Sequence, residues 1–170
     1  MSQVQAGSLK QSFLAAMSRA ASTVNVVTTD GVAGRAGLTL SAMVSVSADT
    51  EQPTLLICVN ENTHSSKRIL ENGRFCVNVL REDQRHVSDC FAGRGGPAGA
   101  DKFLMGEWTR CVSGCPRLAD ALVAFDCDVV WTQQVGTHYM FLGAVHDLHY
   151  GSGMPLLYVQ RSYATAVMTT

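Results

Sequence analysis

An uncharged stretch of alternating residue types between Gly37 and Ser47 is the first segment that could hold a ligand. One set of alternate positions carries mostly hydroxyl groups, and the other is apolar. The polar set is Thr39, Ser41, Met43, Ser45 and Ser47, and the apolar set is Leu38, Leu40, Ala42, Val44 and Val46. A period of two predicts one strand with the two sets on opposite faces. The hydroxyl face suits a planar heteroaromatic ligand, and it suits equally a contact with another chain, where Thr and Ser pair across the interface.

The segment from Asn60 to Arg68 is a second candidate, because an apolar run ends there and a short helix is predicted to begin. It reads Asn60-Glu61-Asn62-Thr63-His64-Ser65-Ser66-Lys67-Arg68. The N–H groups and the positive dipole end at a helix start bind anions, and Lys67 or Arg68 would neutralise a phosphate. Simple capping by Thr63, with both cations in solvent, explains the same residues and is the better interpretation from this segment alone.

Two further positions could contact a polar or charged ligand. Arg94 lies in the glycine-rich loop over residues 93–99, from which it could reach a phosphate or simply be solvated. His138 begins a predicted strand directly after Gly136-Thr137 and could hydrogen-bond a substrate amide. A histidine at a strand end is more often only exposed, so this position is a weak signal by itself.

The remaining reactive residue types predict no metal site and no catalytic nucleophile. Cys111 and Cys115 lack the two-residue spacing of a redox pair, and His146 and His149 are expected on opposite faces of a strand. The other cysteines lie in apolar runs and are predicted to be core residues: Cys58, Cys76, Cys90 and Cys127.

Composition and charge exclude several classes of protein. The 170 residues carry 13 basic and 14 acidic side chains, a net charge of −1, so no basic excess favours nucleic acid. The apolar runs are much shorter than a membrane span, and the N-terminus carries no targeting pattern. Charged residues make up 16%, against roughly 25% in soluble domains, which indicates that a partner or ligand covers part of the surface. We therefore expect one cytoplasmic domain over residues 1–170, with residues 1–7 disordered.

These candidate residues are predicted to be positioned by a mainly β architecture with a few helices. Ser8 is the predicted N-cap of a helix over 8–21 whose apolar face carries Leu9, Phe13 and Met17. Shorter helices are predicted from Thr63 to Asn72 and from Glu82 to Phe91. Strands are predicted over 23–29, 37–47, 54–60, 74–80, 121–133, 138–149 and 156–159. Because the strands are not alternated with long helices, we expect an antiparallel Greek-key barrel, closed or partly closed.

As a set, these segments resemble the short-chain flavin reductases, which have an FMN-binding split-barrel fold. The similarity is greatest to the reductase components of two-component aromatic monooxygenases, such as 4-hydroxyphenylacetate 3-monooxygenase. The matching segments, in the family's order, are Val24–Thr29, Gly37–Ser47, Cys58–Asn60, Phe75–Leu80, Phe91–Gly93, Gly136–His138 and Leu157–Tyr158. They span most of the chain, although none is specific by itself.

The resemblance implies a homodimer that binds flavin near the subunit interface. FAD or FMN would accept at N5 a hydride from C4 of NADH or NADPH. The reduced flavin would then diffuse to a separate monooxygenase that hydroxylates 4-hydroxyphenylacetate, another phenol or a halophenol. Since the flavin carries the chemistry and the protein supplies stacking and orientation, no essential acid–base residue is expected.

The resemblance also assigns residues to the site. The flavin ring and ribityl chain would be lined by Thr39 and Leu40–Ser47. The phosphate would be held by Thr63–Arg68, and Asn60 also belongs to the binding set. The flavin tail would be covered by Phe91, Arg94, Lys102 and Phe103. His138 would position the nicotinamide, and the pyridine nucleotide would lie near Tyr158, Arg161 and Tyr163. Thr137 stands where the family commonly has Asp.

Three other functions fit parts of the pattern. The first is a flavin-binding protein of the same fold that stores flavin or senses redox state without turnover. The second is a split-barrel oxidase of the pyridoxine phosphate type, whose site should carry more Arg and Lys than this chain offers at its strand ends. The third is an interaction module that uses the hydroxyl strand as an interface.

Overall fold

The computed structural model describes residues 6–169, in which strands predominate. The helices are α1 (Ala6–Met17), α2 (His64–Asn72) and α3 (Arg85–Phe91), with a 3-10 turn at Gly99–Leu104. The first six strands are β1 (Ser22–Thr23), β2 (Asn25–Thr29), β3 (Ala36–Leu40), β4 (Met43–Ser47), β5 (Thr54–Asn60) and β6 (Arg74–Val79). The others are β7 (Trp108–Arg110), β8 (Pro116–Leu118), β9 (Val123–Val135), β10 (His138–Tyr150), β11 (Leu156–Val159) and β12 (Ser162–Thr165).

A seven-stranded sheet in the order β3-β2-β6-β9-β10-β5-β4 forms the body of the molecule. Its neighbouring strands all pair antiparallel. β9 and β10 form a long hairpin with register shifts at Leu142/Gly143 and Val145/Asp147. Such irregularities bend a strand and increase its twist. Gly143 is required at the first bend, because a Cβ there would lie 2.5 Å from Cζ of Phe75.

The stretch from Gly37 to Ser47 was predicted as one strand, and that prediction is wrong. β3 and β4 are the two edge strands of the sheet, and only Ser41 and Ala42 separate them. The sheet therefore curls until its edges meet at this link, and the predicted mainly β, antiparallel split-barrel fold is confirmed. The apolar set does not face the core beyond the link, since Val44 and Val46 are each 55% exposed.

Two apolar cores lie on opposite faces of β2 and β6. The core inside the curled sheet includes Phe75, Phe141 and Ile57 with Val27. The core outside it lies under α3 and β11 and includes Phe91, Leu80 and Leu156 with Val26. Full burial of each such side chain contributes about 1.5–3 kcal/mol relative to exposure. The adjacent residues Val26 and Val27 of β2 point into different cores, and all five residues of β2 are buried.

Three short strands outside the large sheet, β7, β8 and β12, were not predicted, whereas β11 was. β7 and β8 form a hairpin over β6, where the Asn78 amide donates to Val26 O at 3.0 Å and accepts from Leu118 N at 2.8 Å. β12 pairs with β11, which also pairs with β1. The predicted strand over 23–29 is consequently divided at Val24 between two sheets. Strands of three residues, such as β7 and β8, are too short to leave a periodic signal.

The sequence predicted the ends of α2 correctly, but it did not predict where α1 and α3 begin. Thr63 caps α2, and Gly73 with φ 66° ends it, as predicted. Disorder was predicted over residues 1–7: residues 1–5 lie outside the described residues, whereas Ala6 and Gly7 belong to α1. α1 therefore begins before Ser8, which is not its N-cap, and ends at Met17. α3 begins at Arg85, three residues later than predicted. None of the helices within residues 6–169 combines the length and apolar character needed to cross a membrane.

Candidate functional site

Two adjoining depressions lie where the end of β3 meets α3 and the β11–β12 hairpin. The smaller has a volume of about 170 Å³ and is lined by Val24, Thr39, Leu40, Ser41, Ser88, Ala92, Arg94, Tyr158 and Tyr163. The larger has a volume of about 490 Å³ and is lined by Arg85, Asp89, Arg94, Tyr158, Arg161, Ser162 and Tyr163. Because they share three residues, we call them together the arginine cleft. It combines an apolar, hydroxyl-bearing end with a positively charged end.

Asp89 of α3 organises the charged end of the cleft. Its carboxylate lies 2.9 Å from Arg94 Nε and 3.5 Å from Arg85 Nε. The Tyr163 hydroxyl lies 2.8 Å from both Asp89 Oδ1 and Ser88 Oγ, and Arg94 also donates to that hydroxyl. A carboxylate can only accept, so Tyr163 donates to Asp89. These bonds tie β12 to α3 and hold both arginine side chains at the cleft.

Hydrogen bonds and burial in this network shift the pKa values of Asp89 and Tyr163 in opposite directions. Burial opposes ionisation of Asp89, but hydrogen bonds from Tyr163 and Arg94 outweigh it and hold the pKa of the carboxyl below its ordinary value. Burial is the main reason why the pKa of Tyr163 is raised. Asp89 is therefore anionic and Tyr163 neutral near pH 7, which keeps the cleft positive overall.

Arg161 is presented to the cleft by an unusual backbone. Gln160 and Arg161 form the two-residue turn between β11 and β12, with φ values of 51° and 62°. They are the only residues other than glycine with positive φ among residues 6–169. Such a turn favours Asn and Gly, and each non-glycine residue in it costs of order 1–3 kcal/mol. A strained turn that places a cation at a cleft indicates a functional constraint.

Aromatic rings surround and support the cleft. Tyr158 and Tyr163 meet edge to face with their centroids 5.6 Å apart, and the Arg85 guanidinium lies 5.0 Å from the Tyr163 centroid. Beneath them, Phe91 contacts Phe103 and Trp108 at 5.2 and 5.3 Å. Phe91 is only 2% exposed, so the prediction that it covers a flavin tail is corrected. Its ring belongs to the core that supports the site.

A second depression, which we call the α2 cleft, has a volume of about 300 Å³. Its lining comprises Glu61, Asn62, Thr63, His64, Lys67 and Tyr139. Thr63 Oγ1 accepts from Ser66 N at 3.2 Å, and Ser66 Oγ donates to Thr63 O at 2.8 Å. Arg68 donates instead to Arg35 O, away from this lining. The capping interpretation is therefore correct for Thr63, while His64 and Lys67 remain at the cleft.

The structure divides the predicted site residues into three groups. The arginine cleft and its support contain Thr39, Leu40, Ser41, Phe91, Arg94, Lys102, Phe103, Tyr158, Arg161 and Tyr163. The α2 cleft and its surroundings contain Asn60, Thr63, His64, Ser65, Ser66, Arg68 and His138, which is opposite Asn60 in the β5–β10 register. The third group follows β4: Met43, Val44, Ser45, Val46 and Ser47. Ala42 connects the groups, because its carbonyl accepts from Cys58 N near the end of β5.

Three polar residues that one helix contributes to the arginine cleft were not identified from the sequence. Arg85, Ser88 and Asp89 all belong to α3. The only available signal was the spacing of Arg85 and Asp89, which places opposite charges on one helix face. Thr39 was identified, but its hydroxyl donates to Ser88 O at 2.7 Å and is thus engaged by the protein. Among residues 6–169, no group of three or more His, Cys, Asp or Glu side chains could hold a metal ion.

Comparison with known proteins identifies the family. The model of the flavin reductase like domain matches residues 17–166, which include both clefts and the link between them. The chain belongs to the flavin reductase-like family. The resemblance drawn from the sequence is thus confirmed at this level.

Individual relatives agree with this assignment. FMN reductase (NADH) RutF 1 of Methylorubrum extorquens is 44% identical over 154 residues, covering 90% of this chain and 75% of the relative. The solved flavin reductase PheA2 in its native state superposes with a TM-score of 0.83 at 29% identity, covering 93% and 98% of the two chains. BorF, the flavin reductase component of a bacterial two-component tryptophan halogenase, gives 0.82 at 29%, covering 92% and 97%.

Asp89→Asn is expected to remove an acid-sensitive contribution to stability. The folded-state pKa of Asp89 is depressed, so its stabilisation is present above the unfolded pKa of about 3.9 and is lost as the pH falls through the folded value. The urea midpoint of the wild type should exceed that of Asp89→Asn near pH 6, and the gap should narrow progressively as the pH falls below about 4. Asp147→Asn, at an exposed position, is the control. A gap that persists unchanged at low pH would contradict the role given to the carboxylate.

Proposed function

We propose that this chain catalyses the reduction of FMN or FAD by NADH and releases the reduced flavin to a separate flavin-dependent oxygenase. The observation that carries the proposal is the arginine cleft. It joins a small pocket of mixed polarity to a larger depression with an excess of positive charge. Flavin and nicotinamide nucleotides combine a flat ring system with phosphate groups, and the two ends of the cleft match these parts. The names of the relatives support the same activity.

The charged end of the cleft fits a phosphate. Arg85, Arg94 and Arg161 line it together with Asp89, so three guanidinium groups face one carboxylate. The excess of two positive charges complements a phosphate monoester or the pyrophosphate of a dinucleotide. Asp89 already holds Arg85 and Arg94, so little side-chain freedom is lost when the anion binds.

The smaller end of the cleft fits a ring system. Leu40 and Val24 offer apolar surface, and Ser41 offers an exposed hydroxyl at the link between the sheet edges. Tyr158 lies at the junction of the two depressions, where its ring can pack against a planar ligand. When bound, the flavin supplies the capacity to accept a hydride. The residues around it bind, orient and shield it from water.

The α2 cleft supplies a second polar site for the same reaction. His64 and Lys67 lie beside the start of α2, where backbone N–H groups and the helix dipole favour an anion. His138 is opposite Asn60 at the edge of this region. In the proposed enzyme His138 positions the nicotinamide ring and transfers no proton. Its Nδ1 lies 3.2 Å from the Thr137 hydroxyl, which restricts the orientation of the imidazole.

We further propose that the partner oxygenase hydroxylates an aromatic ring, and that the enzyme is cytoplasmic. BorF is the reductase component of a two-component halogenase, which provides a precedent for a separate partner. The arginine cleft is open to solvent along α3, so a flavin nucleotide can leave without opening the barrel. Six free cysteines favour a reducing compartment.

The functional unit is proposed to be a homodimer in which α1 packs on a second copy. Leu9, Phe13 and Met17 form an apolar stripe along α1, and they are 64%, 60% and 55% exposed in the single chain. A helix of 12 residues is marginal in water unless such a stripe is covered.

A second exposed apolar surface of this chain can pack against the stripe of α1. Val44 and Val46 project from the edge strand β4, and Val130, Trp131 and Val135 are exposed on β9. In a twofold dimer each copy presents both apolar surfaces, so α1 of one copy can pack on the β4–β9 surface of the other and the reverse contact forms as well. The low charge of the sequence agrees with a covered surface.

Purified protein in air is expected to consume NADH when FMN or FAD is added, and far less without added flavin. Absorbance of NADH measures the rate, and the ratio of rates ranks the flavins. Saturation at low flavin concentration would mark flavin as a diffusible substrate. No consumption with NADH or NADPH, together with yellow flavin retained on a desalting column, would reject the reductase in favour of a flavin-storage or sensor protein.

His138→Ala should raise KM for NADH by about fivefold or more while kcat falls by less than about twofold, because the side chain positions the nucleotide. His149→Ala, near the other end of the same strand, is the matched control and should leave both constants near those of the wild type. Steady-state kinetics with saturating FMN measure the split. A fall in kcat by orders of magnitude at unchanged KM would show that His138 takes part in the chemical step.

Phe13→Glu should convert the dimer into a monomer of 18.2 kDa in size-exclusion chromatography with light scattering, since it places a charge in the apolar contact. Lys10→Glu alters the charge of the same helix outside the stripe and should remain dimeric. A wild-type protein that is already monomeric at micromolar concentration would contradict the proposed assembly.

A further inference from the structure

Three cysteine side chains meet on the outer face of the large sheet, away from both clefts. Cys76 lies in β6, and Cys111 and Cys115 flank the turn of the β7–β8 hairpin that covers it. Cys76 and Cys115 are fully buried with Ala124, and Cys111 packs against them while remaining half-buried. We call these three residues the thiol cluster. The sequence spacing alone gave no reason to expect it, because Cys76 and Cys111 are far apart in the chain.

The hairpin geometry holds Cys111 and Cys115 together. β7 and β8 pair Arg110 with Pro116, so the next positions inward, Cys111 and Cys115, are opposite each other. Cys111 N donates to Cys115 O at 2.9 Å, and Gly114 N donates back to Cys111 O at 3.0 Å. Both side chains face the sheet on which the hairpin packs.

A buried carboxylate fixes the hairpin over Cys76. Asp126 of β9 is 2% exposed and is directly opposite Cys76 in the β6–β9 register. It accepts from Ser113 N at 2.9 Å and from the Ser113 hydroxyl, in the middle of the turn. The hairpin therefore cannot slide away from Cys76 without leaving a buried carboxylate without hydrogen bonds, which is strongly unfavourable.

The three thiols differ in their access and acidity. A hydrogen bond with Cys111, followed by burial, raises the pKa of Cys76 well above its ordinary value. Burial raises the pKa of Cys115 to about 11. Cys111 is the one member of the cluster that is partly exposed to solvent. A small oxidant therefore reaches Cys111 first. Cys111 packs against both buried thiols of the cluster, and its hydrogen bond with Cys76 favours Cys76 over Cys115 as the reaction partner.

We propose that the thiol cluster is an oxidation site, at which hydrogen peroxide converts Cys111 and Cys76 into a disulfide. Peroxide transfers one oxygen to the Cys111 sulfur, giving a sulfenic acid and water. The Cys76 sulfur then attacks the Cys111 sulfur, an S–S bond forms, and the hydroxyl group leaves with the Cys76 proton as a second water. Two thiols and one peroxide thus yield one disulfide and two waters.

The source of peroxide is the only part of this inference that rests on the proposed function. Reduced flavin released into air reacts with dioxygen, and the products are oxidised flavin and hydrogen peroxide. A flavin reductase is therefore exposed to peroxide in proportion to its own turnover. The oxidation site itself depends only on the geometry of the cluster, and adding peroxide directly tests it without any flavin or NADH.

The test treats the full-length protein with hydrogen peroxide, quenches the reaction with catalase, and maps tryptic peptides without reduction. Trypsin releases Cys76 in peptide 75–81 and both other cysteines of the cluster in peptide 111–117. The expected product is a covalent link between these two peptides, with loss of two of the six thiols on titration in denaturant. An unchanged thiol count, or an internal link within peptide 111–117, would overturn the assignment.

Two variants assign the link to Cys111. Cys111→Ser should abolish the linked peptides, whereas Cys58→Ser should leave them in place. Cys58 is the matched control because it is also half-buried but lies on β5, outside the cluster. Linked peptides that persist in Cys111→Ser would mean that Cys115 reacts with Cys76 and would reject the proposal. Fragmentation of the linked wild-type peptides in the mass spectrometer identifies which cysteine of peptide 111–117 is bonded, so a folding defect in either variant does not leave the assignment open.

Discussion

The link of Ser41 and Ala42 is the constraint on which the rest of the molecule depends. A flat sheet of seven strands would separate its edges by six spacings of about 4.8 Å, or roughly 29 Å. The chain from Leu40 to Met43 takes three steps of about 3.8 Å and spans at most about 11 Å. The sheet must therefore curl, and the irregular β9–β10 hairpin with Gly143 provides the curvature. The same closure places the arginine cleft and the α2 cleft on either side of one link.

The short helix α3 connects the interior of the protein with the arginine cleft. One side of it contributes Val87, Cys90 and Phe91 to the outer core. The other side presents Ser88 and Asp89 to Tyr163 of the C-terminal hairpin. Packing of Phe91 against Gly37 fixes the height of α3 above β3, since a Cβ at Gly37 would lie 2.6 Å from the Phe91 ring. The positions of the charged groups are thus set by core packing.

Local signals predicted the elements that local chemistry controls. α2 begins and ends at its Thr63 and Gly73 caps, and the hairpin of β9 and β10 follows its turn residues. The break at Ser41 escaped prediction because the alternation of residue types continues through it, and only closure of the whole sheet requires it.

In the candidate site, too, features set by local sequence were predicted and features set by tertiary contacts were not. Arg94 and Arg161 are far apart in sequence, and only the family resemblance brought them into one set before the structure placed them in one cleft. The amphipathic pattern of α1 correctly indicated an apolar face, but a single sequence does not reveal that no other part of the described chain, residues 6–169, covers it. Buried networks such as that of Asp89 depend on tertiary contacts and leave almost no trace in sequence spacing.

The carboxylate of Asp89 also affects how long a bound phosphate stays in the arginine cleft. A phosphate that enters the arginine cleft must share Arg85 and Arg94 with a counterion that never leaves. The rigid cleft favours rapid capture, while the resident negative charge weakens the hold on the captured nucleotide and shortens its residence time. In the proposed reductase, which releases its product to another enzyme, fast exchange matters more than tight retention, and Asp89 favours that exchange.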